Sequence, residues 1–261
     1  MKRSFCLVIV AILLLIVVSG CSKSKEDKES NSKVELTMSA AASLQDALNE
    51  IRNDFVKNHP QIKVNFNFGA SGALQQQILQ GAPVDLFFSA AEDKFTKLIQ
   101  KGLIDKEKGT NLVGNELVLV VPKNSKIGIH SFENIPKVEK VAIGTPESVP
   151  AGQYAKETLE HLHLWGEIKE KTVYAKDVRQ VLTYVETGNV DAGIVYKTDA
   201  LGSQKVKIIA TAAKNLHAPI IYPVGMIKNG SHPKETQLFY DYLQSESGIK
   251  VLEKYGFKGL K

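Results

Sequence analysis

Four predicted helix starts carry residues whose chemistry suits an anion. Ser43 and Ser71 each follow an apolar strand and precede an amphipathic run, which is where an N-cap residue stands. Pro150 opens a third run, and Asp177 precedes a fourth. The first N–H groups of a helix have no acceptor within it and lie at the positive end of its dipole. Each start therefore offers hydrogen-bond donors to a negatively charged ligand.

A serine or aspartate at a helix start is on its own an ordinary cap, so the functional interpretation depends on where the four starts lie. In doubly wound α/β sheets, helices begin at the carboxyl ends of strands, where the ligand crevice lies. Ala151 and Gly152, which follow the proline, would offer N–H groups unhindered by a large side chain. If two starts from each of two lobes face one another, they enclose a small anion in uncharged donors.

Short apolar strands alternate with amphipathic stretches from Val34 almost to the end, which predicts an α/β fold with largely parallel sheets. The predicted strands cover residues 34–38, 63–68, 86–89, 115–122, 141–144, 192–195, 206–210 and 219–227. The predicted helices cover residues 44–57, 72–80, 151–161, 178–186 and 234–243, with one more ending near residue 102.

The long strand at 115–122 could leave one sheet and enter another, and the strand at 219–227 could return. We therefore predict lobe 1 from residues 34–117 and 221–261, and lobe 2 from residues 118–220. The two connecting strands would form a hinge, and a cleft between hinged lobes is a familiar ligand trap.

The first twenty residues have a basic start, an apolar centre over 5–18 and small residues before Cys21, which predicts a secretory signal peptide. The apolar run is short for a membrane-spanning helix, which needs about 20 residues. The tetrad VSGC resembles the lipobox of bacterial lipoproteins, which implies that Cys21 is acylated and becomes the first mature residue. Residues 21–33 are polar and charged, so we expect a flexible tether.

Charge and cysteine content exclude several classes of protein. The chain has 33 Lys and Arg against 28 Asp and Glu, and the basic residues are scattered among the acidic ones, which disfavours a nucleic-acid partner. Cys6 lies in the predicted signal peptide, so the mature fold has no disulfide and no cysteine-rich metal site.

The ordered motifs resemble a known family. From Val34 to Phe257 the chain is similar to the ModA-type molybdate-binding proteins of ABC transporters, in the segments AASLQDAL, GASGALQQQILQGAPVDLFFSA, GTPESVPAGQYAKETL, KDVRQVL, GIVYKTDA, YPVGMIKN, FYDYLQS and KYGF. The resemblance implies a type II periplasmic-binding-protein fold, with two α/β lobes joined by two crossing strands and an oxyanion in the cleft between them.

The resemblance also implies the ligand contacts. The metal would be bound as an oxyanion, molybdate or tungstate, with no protein ligand to a metal cation and no further cofactor. The implied contacts are the hydroxyls of Ser43, Ser71 and Tyr196 and the backbone N–H groups of Ala151 and Val178. Gly72 leaves open whether neighbouring amides also donate.

The implied role is capture rather than catalysis. The protein would sit outside the cytoplasm, held to the cell membrane by lipid on Cys21, and would deliver its ligand as a monomer to the permease subunits of an ABC importer. A cage of donors set for molybdate would lose contact with the smaller sulfate, and it would leave the proton of phosphate unpaired. It would not easily separate molybdate from tungstate.

A serine hydrolase is an alternative of a different class. Residues 69–73, GASGA, are one residue short of the G-x-S-x-G nucleophile elbow and lie at a strand-to-helix turn. Ser71 would be the nucleophile. The late histidine that such hydrolases need could only be His217 or His232, both in turn-rich surroundings.

Two further alternatives concern what is bound. His161 and His163 could hold a metal, although positions i and i+2 of a helix do not face each other. The second alternative is a binding protein for sulfate, phosphate or a small carboxylate. An arginine aimed at the ligand would indicate a carboxylate. Arg179, beside Val178, could be that arginine.

Overall fold

The computed structural model describes residues 33–260. The predicted signal peptide, Cys21 and the tether up to residue 32 lie outside the described residues. Within the described part, no helix combines the length and the apolar character that a membrane span requires. The α/β prediction is confirmed, because two sheets with helices on them account for this part of the chain.

The first sheet has six strands in the order β11-β4-β10-β3-β1-β2. We call this sheet and its helices lobe 1. Strand β1 runs parallel to β2 and β3, whereas β10 is antiparallel to β3 and β4. The strands are β1 (Val34–Ala41), β2 (Ile62–Gly69), β3 (Leu86–Phe88), β4 (Ile104–Gly114), β10 (Ile221–Ile227) and β11 (Lys258–Gly259).

The second sheet has five strands in the order β7-β6-β8-β5-β9 and forms lobe 2 with its helices. Strand β6 is parallel to β7 and β8, and β5 is antiparallel to β8 and β9. The strands are β5 (Leu117–Pro122), β6 (Val141–Gly144), β7 (Thr172–Ala175), β8 (Ala192–Tyr196) and β9 (Val206–Thr211). Both sheets are thus mixed rather than largely parallel, because the strand that enters each sheet from the other lobe, β5 or β10, runs against its neighbours.

The helices follow the strands. Lobe 1 contains α1 (Gln45–Asn58), α2 (Ser71–Leu79), α3 (Glu92–Gln100), α8 (Pro233–Gln244) and α9 (Glu246–Lys254). Lobe 2 contains α4 (Pro150–His161), α5 (Trp165–Ile168), α6 (Val178–Glu186) and α7 (Lys197–Leu201). Three 3₁₀ turns complete the list: Ala42–Leu44, Phe132–Lys137 and Lys169–Lys171.

The chain crosses between the lobes in two segments. The first crossing lies between the end of β4 and the start of β5, and the second lies between β9 and β10. The two crossings touch, because Asn115 N donates to Ile220 O at 3.2 Å. Leu117, which the sequence placed at the end of lobe 1, instead pairs with Tyr196 in the second sheet, so lobe 2 begins before residue 118. The boundary lies earlier because Leu117, the first residue of β5, is apolar and is buried where it pairs with the second sheet.

Several elements went unpredicted. Strand β4 begins with the charged run IDKEKG, whose side chains are largely exposed, so it lacks the apolar character of a strand. Strand β7 has only four residues, and α9 and β11 lie at the end of the chain, where the predicted closing helix had been the last element. In contrast, β6 and α6 coincide with their predictions residue for residue.

The core of lobe 1 shows why these elements pack. Ile51 and Phe55 lie on the face of α1 that meets the sheet, and both are fully buried. The Phe55 ring meets Phe239 of α8 edge to face, with ring centroids 4.9 Å apart. Burial of such side chains contributes roughly 1.5–3 kcal/mol each, and it holds α1 against α8 and the sheet.

Candidate ligand-binding site

The five residues predicted to contact a ligand line one cavity between the lobes. The enclosed part of this cavity has a volume of about 10 Å³. Two of the five come from lobe 1 and three from lobe 2, and all are buried. They are Ser43, Ser71, Ala151, Val178 and Tyr196, and they share the lining with Ala41, Ala42, Gly69, Ala70, Ala90, Val149, Pro150 and Asp177.

Helix starts from both lobes converge on this cavity. Helix α2 begins at Ser71, α4 at Pro150 and α6 at Val178, and the 3₁₀ turn that leads into α1 begins at Ala42. Ala151 is the second residue of α4 and Val178 the first of α6, so their N–H groups have no acceptor within their own helices. The cavity therefore lies at the positive ends of several helices.

The two serines are not helix caps. Ser43 lies within the 3₁₀ turn, and Ser71 is the first residue of α2, whose N-cap is Ala70; neither helix start has a side-chain cap. The prediction of an N-cap was wrong for both, because the chain turns one or two residues away from each serine. Asp177 does cap α6, since its Oδ1 accepts from Gln180 N at 2.9 Å. The serine hydroxyls are therefore free for other partners.

Both serine hydroxyls accept, or are placed to accept, hydrogen bonds from the protein. Ala90 N donates to Ser71 Oγ at 2.9 Å. Ser43 Oγ lies 2.9 Å from Tyr222 Oη, where either atom could donate. A hydroxyl whose lone pair is occupied in this way still has its own hydrogen to donate. Ser71 is thereby set to donate into the cavity.

Tyr196 brings a third hydroxyl. The side chain is 1% exposed, and its Oη has no hydrogen-bond partner among the described residues. An unpaired buried hydroxyl is costly, so it marks a place where a ligand would supply the partner. Burial raises the pKa of Tyr196 well above its ordinary value, and the hydroxyl therefore keeps its proton.

The cavity supplies donors without a positive charge. Among the described residues that line it there is no lysine, arginine or histidine. The one acidic member, Asp177, uses its carboxylate to cap α6. A ligand that brings its own negative charge would thus be met by hydroxyls, N–H groups and helix dipoles.

Two glycines near the cavity have packing roles instead of donating to it. Gly72 N donates to Ser148 O at 2.9 Å, a backbone hydrogen bond between lobes 1 and 2. Gly152 N donates to Val149 O at 2.9 Å, so it is not the free donor that the sequence predicted. A Cβ at Gly152 would stand 1.9 Å from Gly144 O, which shows that α4 packs on β6 too closely for any side chain.

Arg179 does not line the cavity. Its guanidinium forms an ion pair with Asp46 of lobe 1, and its Nε lies 3.7 Å from Asp199 Oδ1. The arginine thus joins the lobes beside the cavity and is not aimed into it. This removes the observation that would have favoured a carboxylate ligand.

Asp199 should make the stability of the protein depend on pH. Burial raises its pKa to about 7 from the ordinary 3.8, while Arg179 lowers it and Asp46 and Asp177 raise it. Between these values the folded protein holds a proton that the unfolded chain has lost, so stability falls as pH rises through the window. For one proton, the free energy of unfolding can fall by at most about 1.4 kcal/mol per pH unit.

Denaturant unfolding of the wild type and Asp199→Asn at pH 5, 6 and 7 tests this. We expect the free energy of unfolding to fall more steeply with pH in the wild type than in the variant. All other titrating groups are shared, so the difference in slope reports Asp199 alone. Parallel pH profiles would show that the carboxyl group is not perturbed as described.

The structure does not support the serine hydrolase alternative or the metal-site alternative. Neither His217 nor His232 lines the cavity that holds Ser71. His217 Nδ1 lies 2.7 Å from Ala218 O, and His161 Nδ1 lies 2.8 Å from Glu157 O. Over the described residues, no group of three or more His, Cys, Asp or Glu side chains could hold a metal ion.

Two α/β lobes, two crossings and a small cavity of converging helix starts define the class of two-lobed solute-binding proteins with the type II periplasmic-binding fold. The profile described as bacterial extracellular solute-binding protein matches residues 36–258. The chain belongs to this family, whose members act outside the cytoplasm.

Individual relatives agree with this assignment. The chain is 56% identical to YvgL of Bacillus subtilis strain 168, provisionally named an ABC transporter substrate-binding lipoprotein, over 98% of this chain and 99% of that one. It is 40% identical to the molybdate-binding protein ModA of Haemophilus influenzae, over 85% and 89% of the two chains.

A solved structure supports the fold. The substrate-binding domain of a provisionally assigned molybdenum ABC transporter from Clostridium difficile is 41% identical, with a TM-score of 0.68 over 88% of this chain and 100% of that one. The relatives are substrate-binding transport proteins, so this chain is a binding protein and not an enzyme.

Sequence reasoning missed the residues that form hydrogen bonds with the two serine hydroxyls. Ala90 follows β3 and orients Ser71, whereas Tyr222 lies at the start of β10 and contacts Ser43. A backbone N–H leaves no mark in the sequence. The tyrosine could have been noticed, because it is a polar side chain at the start of a crossing strand that is otherwise apolar.

Proposed function

We propose that the protein captures molybdate, and also tungstate, in the cavity between its lobes and delivers it to an ABC importer. The observation that carries the proposal is the set of uncharged donors from both lobes around one cavity. Ser43, Ser71 and Tyr196 contribute hydroxyls, and Ala151 and Val178 contribute backbone N–H groups. The 40% identity to the molybdate-binding protein ModA of Haemophilus influenzae supports this ligand.

A fully deprotonated tetrahedral oxyanion matches such a cage. Each of its oxygens only accepts hydrogen bonds, and each group contributed by the cage can donate one. Hydrogen bonds to a charged group are worth about 1.5–3 kcal/mol each. The costs of ordering and desolvation offset part of this gain. We expect a dissociation constant between micromolar and nanomolar, which corresponds to about −8 to −12 kcal/mol.

Selectivity follows from size and protonation. Sulfate is smaller than molybdate, so donors held at fixed positions cannot all reach it. Phosphate carries a proton near neutral pH, and a site that only donates would leave this proton unpaired. Tungstate has nearly the size and charge of molybdate, so we propose that both bind.

Titration calorimetry of the purified protein with molybdate, tungstate, sulfate and phosphate tests the proposal. We expect tight binding of the first two and binding at least about a hundredfold weaker for the others, a difference of about 2.7 kcal/mol. Tight binding of sulfate but not of molybdate would contradict the proposal and would identify the smaller oxyanion as the ligand. Covalent labelling of Ser71 by a fluorophosphonate would instead point to the hydrolase alternative.

Tyr196→Phe isolates the contribution of the unpartnered hydroxyl. The variant removes one donor to the anion and leaves the buried ring in place, so we expect molybdate binding to weaken by about 1.5–3 kcal/mol. Because the hydroxyl has no partner among the described residues, the free protein should be as stable as the wild type or more stable. Unchanged affinity, measured by the same titration, would show that Tyr196 does not touch the ligand.

Membrane anchoring is a further part of the proposal. The lipobox VSGC and the tether after it support lipid attachment at Cys21, and the relative YvgL is named a lipoprotein. Cells that express the full chain and receive an alkyne-tagged fatty acid should label the wild type but not Cys21→Ala. Equal labelling of both would refute acylation at this cysteine.

A further inference from the structure

Ser43 lies at one end of a buried polar chain that links the two lobes. Its Oγ is 2.9 Å from Tyr222 Oη, and Asn115 Nδ2 lies 3.2 Å from the same tyrosine oxygen. Asn115 Nδ2 also donates to Thr198 Oγ1 at 2.9 Å. Ser43 belongs to lobe 1 and Thr198 to lobe 2, while Asn115 stands in the first crossing and Tyr222 at the start of β10. All four side chains are buried.

The orientation of Asn115 sets the direction of donation along this chain. Glu116 N donates to Asn115 Oδ1 at 2.8 Å, so the oxygen is identified and the other atom is the amide nitrogen, which can only donate. Tyr222 Oη therefore accepts from Asn115.

The hydrogen of Tyr222 then points to Ser43. Among the described residues, Ser43 Oγ is the acceptor at hydrogen-bond distance from that hydroxyl, because Oη of the neighbouring Tyr196 makes no hydrogen bond. If Ser43 donated to Tyr222 instead, the tyrosine hydrogen would be buried without an acceptor, which is unfavourable. With Tyr222 donating, Ser43 Oγ is an acceptor toward the protein, and its own hydrogen is free to turn into the cavity.

We propose that Asn115 and Tyr222 are positioning residues that turn the hydroxyl hydrogen of Ser43 toward the bound oxyanion. The proposal rests on the oxyanion-binding function. An anion requires the hydrogen of Ser43 rather than its lone pairs, and donation from Tyr222 occupies a lone pair. Ala90 N does the same for Ser71, so both serines reach the ligand as oriented donors.

The predicted consequence is that Tyr222 affects ligand binding through Ser43 alone. Tyr222→Phe keeps the ring that packs against Phe257, whose centroid is 5.3 Å away. We expect this variant to weaken molybdate binding about fivefold to tenfold, since it removes one hydrogen bond that orients a donor. In a Ser43→Ala background the same substitution should change the affinity by less than about twofold, because the group that it positions is gone.

The matched backgrounds and controls separate positioning from a general structural effect. In a Ser71→Ala background, Tyr222→Phe should retain its loss of about fivefold to tenfold. Tyr240→Phe is the control substitution, because it also deletes a buried tyrosine hydroxyl that pairs with a threonine, at 2.9 Å from Thr110 Oγ1. Tyr240 does not line the cavity, and we expect wild-type affinity for this variant.

Titration calorimetry of the purified proteins with sodium molybdate measures the whole cycle. Coupling of Tyr222 to Ser43 but not to Ser71 supports the positioning role. A loss of the same size in the wild-type and Ser43→Ala backgrounds, with wild-type binding intact, overturns the positioning alone. Failure of the wild type to bind molybdate overturns the proposed function, and the positioning role with it.

Discussion

The double substitution Ser43→Ala and Ser71→Ala should nearly abolish molybdate binding. Each serine alone is expected to cost about 1–3 kcal/mol, and the pair should therefore weaken binding at least about thirtyfold if the losses add. The two hydroxyls reach the cavity from different elements of lobe 1, one before α1 and one at the start of α2. Titration calorimetry of both single variants and the double variant measures the losses.

The fold should survive this double substitution. Ser71→Ala leaves Ala90 N without its acceptor, and Ser43→Ala leaves Tyr222 Oη with Asn115 as its remaining partner, so we expect a loss of about 1–3 kcal/mol in the free energy of unfolding for each. Ser39→Ala is a suitable control, because this serine is also buried but does not line the cavity. Wild-type affinity of the double variant would mean that the hydroxyls do not touch the ligand.

Gly72→Ala should weaken binding without touching the ligand. Its Cβ would stand 2.7 Å from Ser148 O and 2.9 Å from Ser148 Cα, and both atoms belong to the backbone of lobe 2. One lobe must therefore move away from the other, and the Gly72 N to Ser148 O hydrogen bond would be strained or lost. Because the anion needs donors from both lobes, we expect a loss of about 1–3 kcal/mol in binding.

The free protein should tolerate the same change. Alanine is a better helix former than glycine by about 1 kcal/mol, which offsets part of the stability lost with the strained Gly72 N to Ser148 O hydrogen bond. Gly166→Ala, in α5, is the matched control, since nothing lies within 4 Å of its Cβ. Calorimetry with molybdate and thermal unfolding without it measure the two effects. Wild-type affinity in Gly72→Ala would show that contact between the lobes at this point does not govern capture.

The sequence was sufficient for most of the fold because the buried strands are short apolar runs with clear boundaries. Strand β6 and helix α6 illustrate this, since an apolar run and an Asp177 cap delimit them. Strand β4 escaped prediction because its first half is charged and half-exposed at the surface of lobe 1. The pattern of apolar residues predicts strands that are buried. It does not predict a strand such as β4, whose exposed first half is held in the sheet by hydrogen bonds to distant parts of the chain.

The sequence indicated residues that line the cavity, but it did not indicate the hydrogen-bond partners of their hydroxyl groups. Helix starts indicated Ser43, Ser71 and the amides of lobe 2, and the family resemblance added Tyr196. Neither indicates the partners of these groups, because Tyr222 and Ser43 are 179 residues apart in the chain. The capping role assigned to both serines was wrong for the same reason, since a cap is a local contact and their contacts are long-range.

No positively charged side chain lines the cavity in the part of the chain that the structure describes, and we expect this to make binding more selective. A lysine or arginine would attract any anion, whereas hydroxyls and N–H groups at fixed positions favour the one whose oxygens they reach. Arg179 is instead held by Asp46 and Asp199 beside the cavity. The charge of Arg179 thereby joins the two lobes, and in the proposed function the positions of the hydroxyl and N–H donors select the ligand.

A crystal structure of the protein grown with molybdate, with data collected at the molybdenum absorption edge, tests the central claim most directly. The account predicts one anomalous peak between the lobes, with the oxyanion oxygens within hydrogen-bond distance of the Ser43, Ser71 and Tyr196 hydroxyls and the Ala151 and Val178 N–H groups. A peak at another place on the protein, or a site in which these groups turn away from the anion, would contradict it.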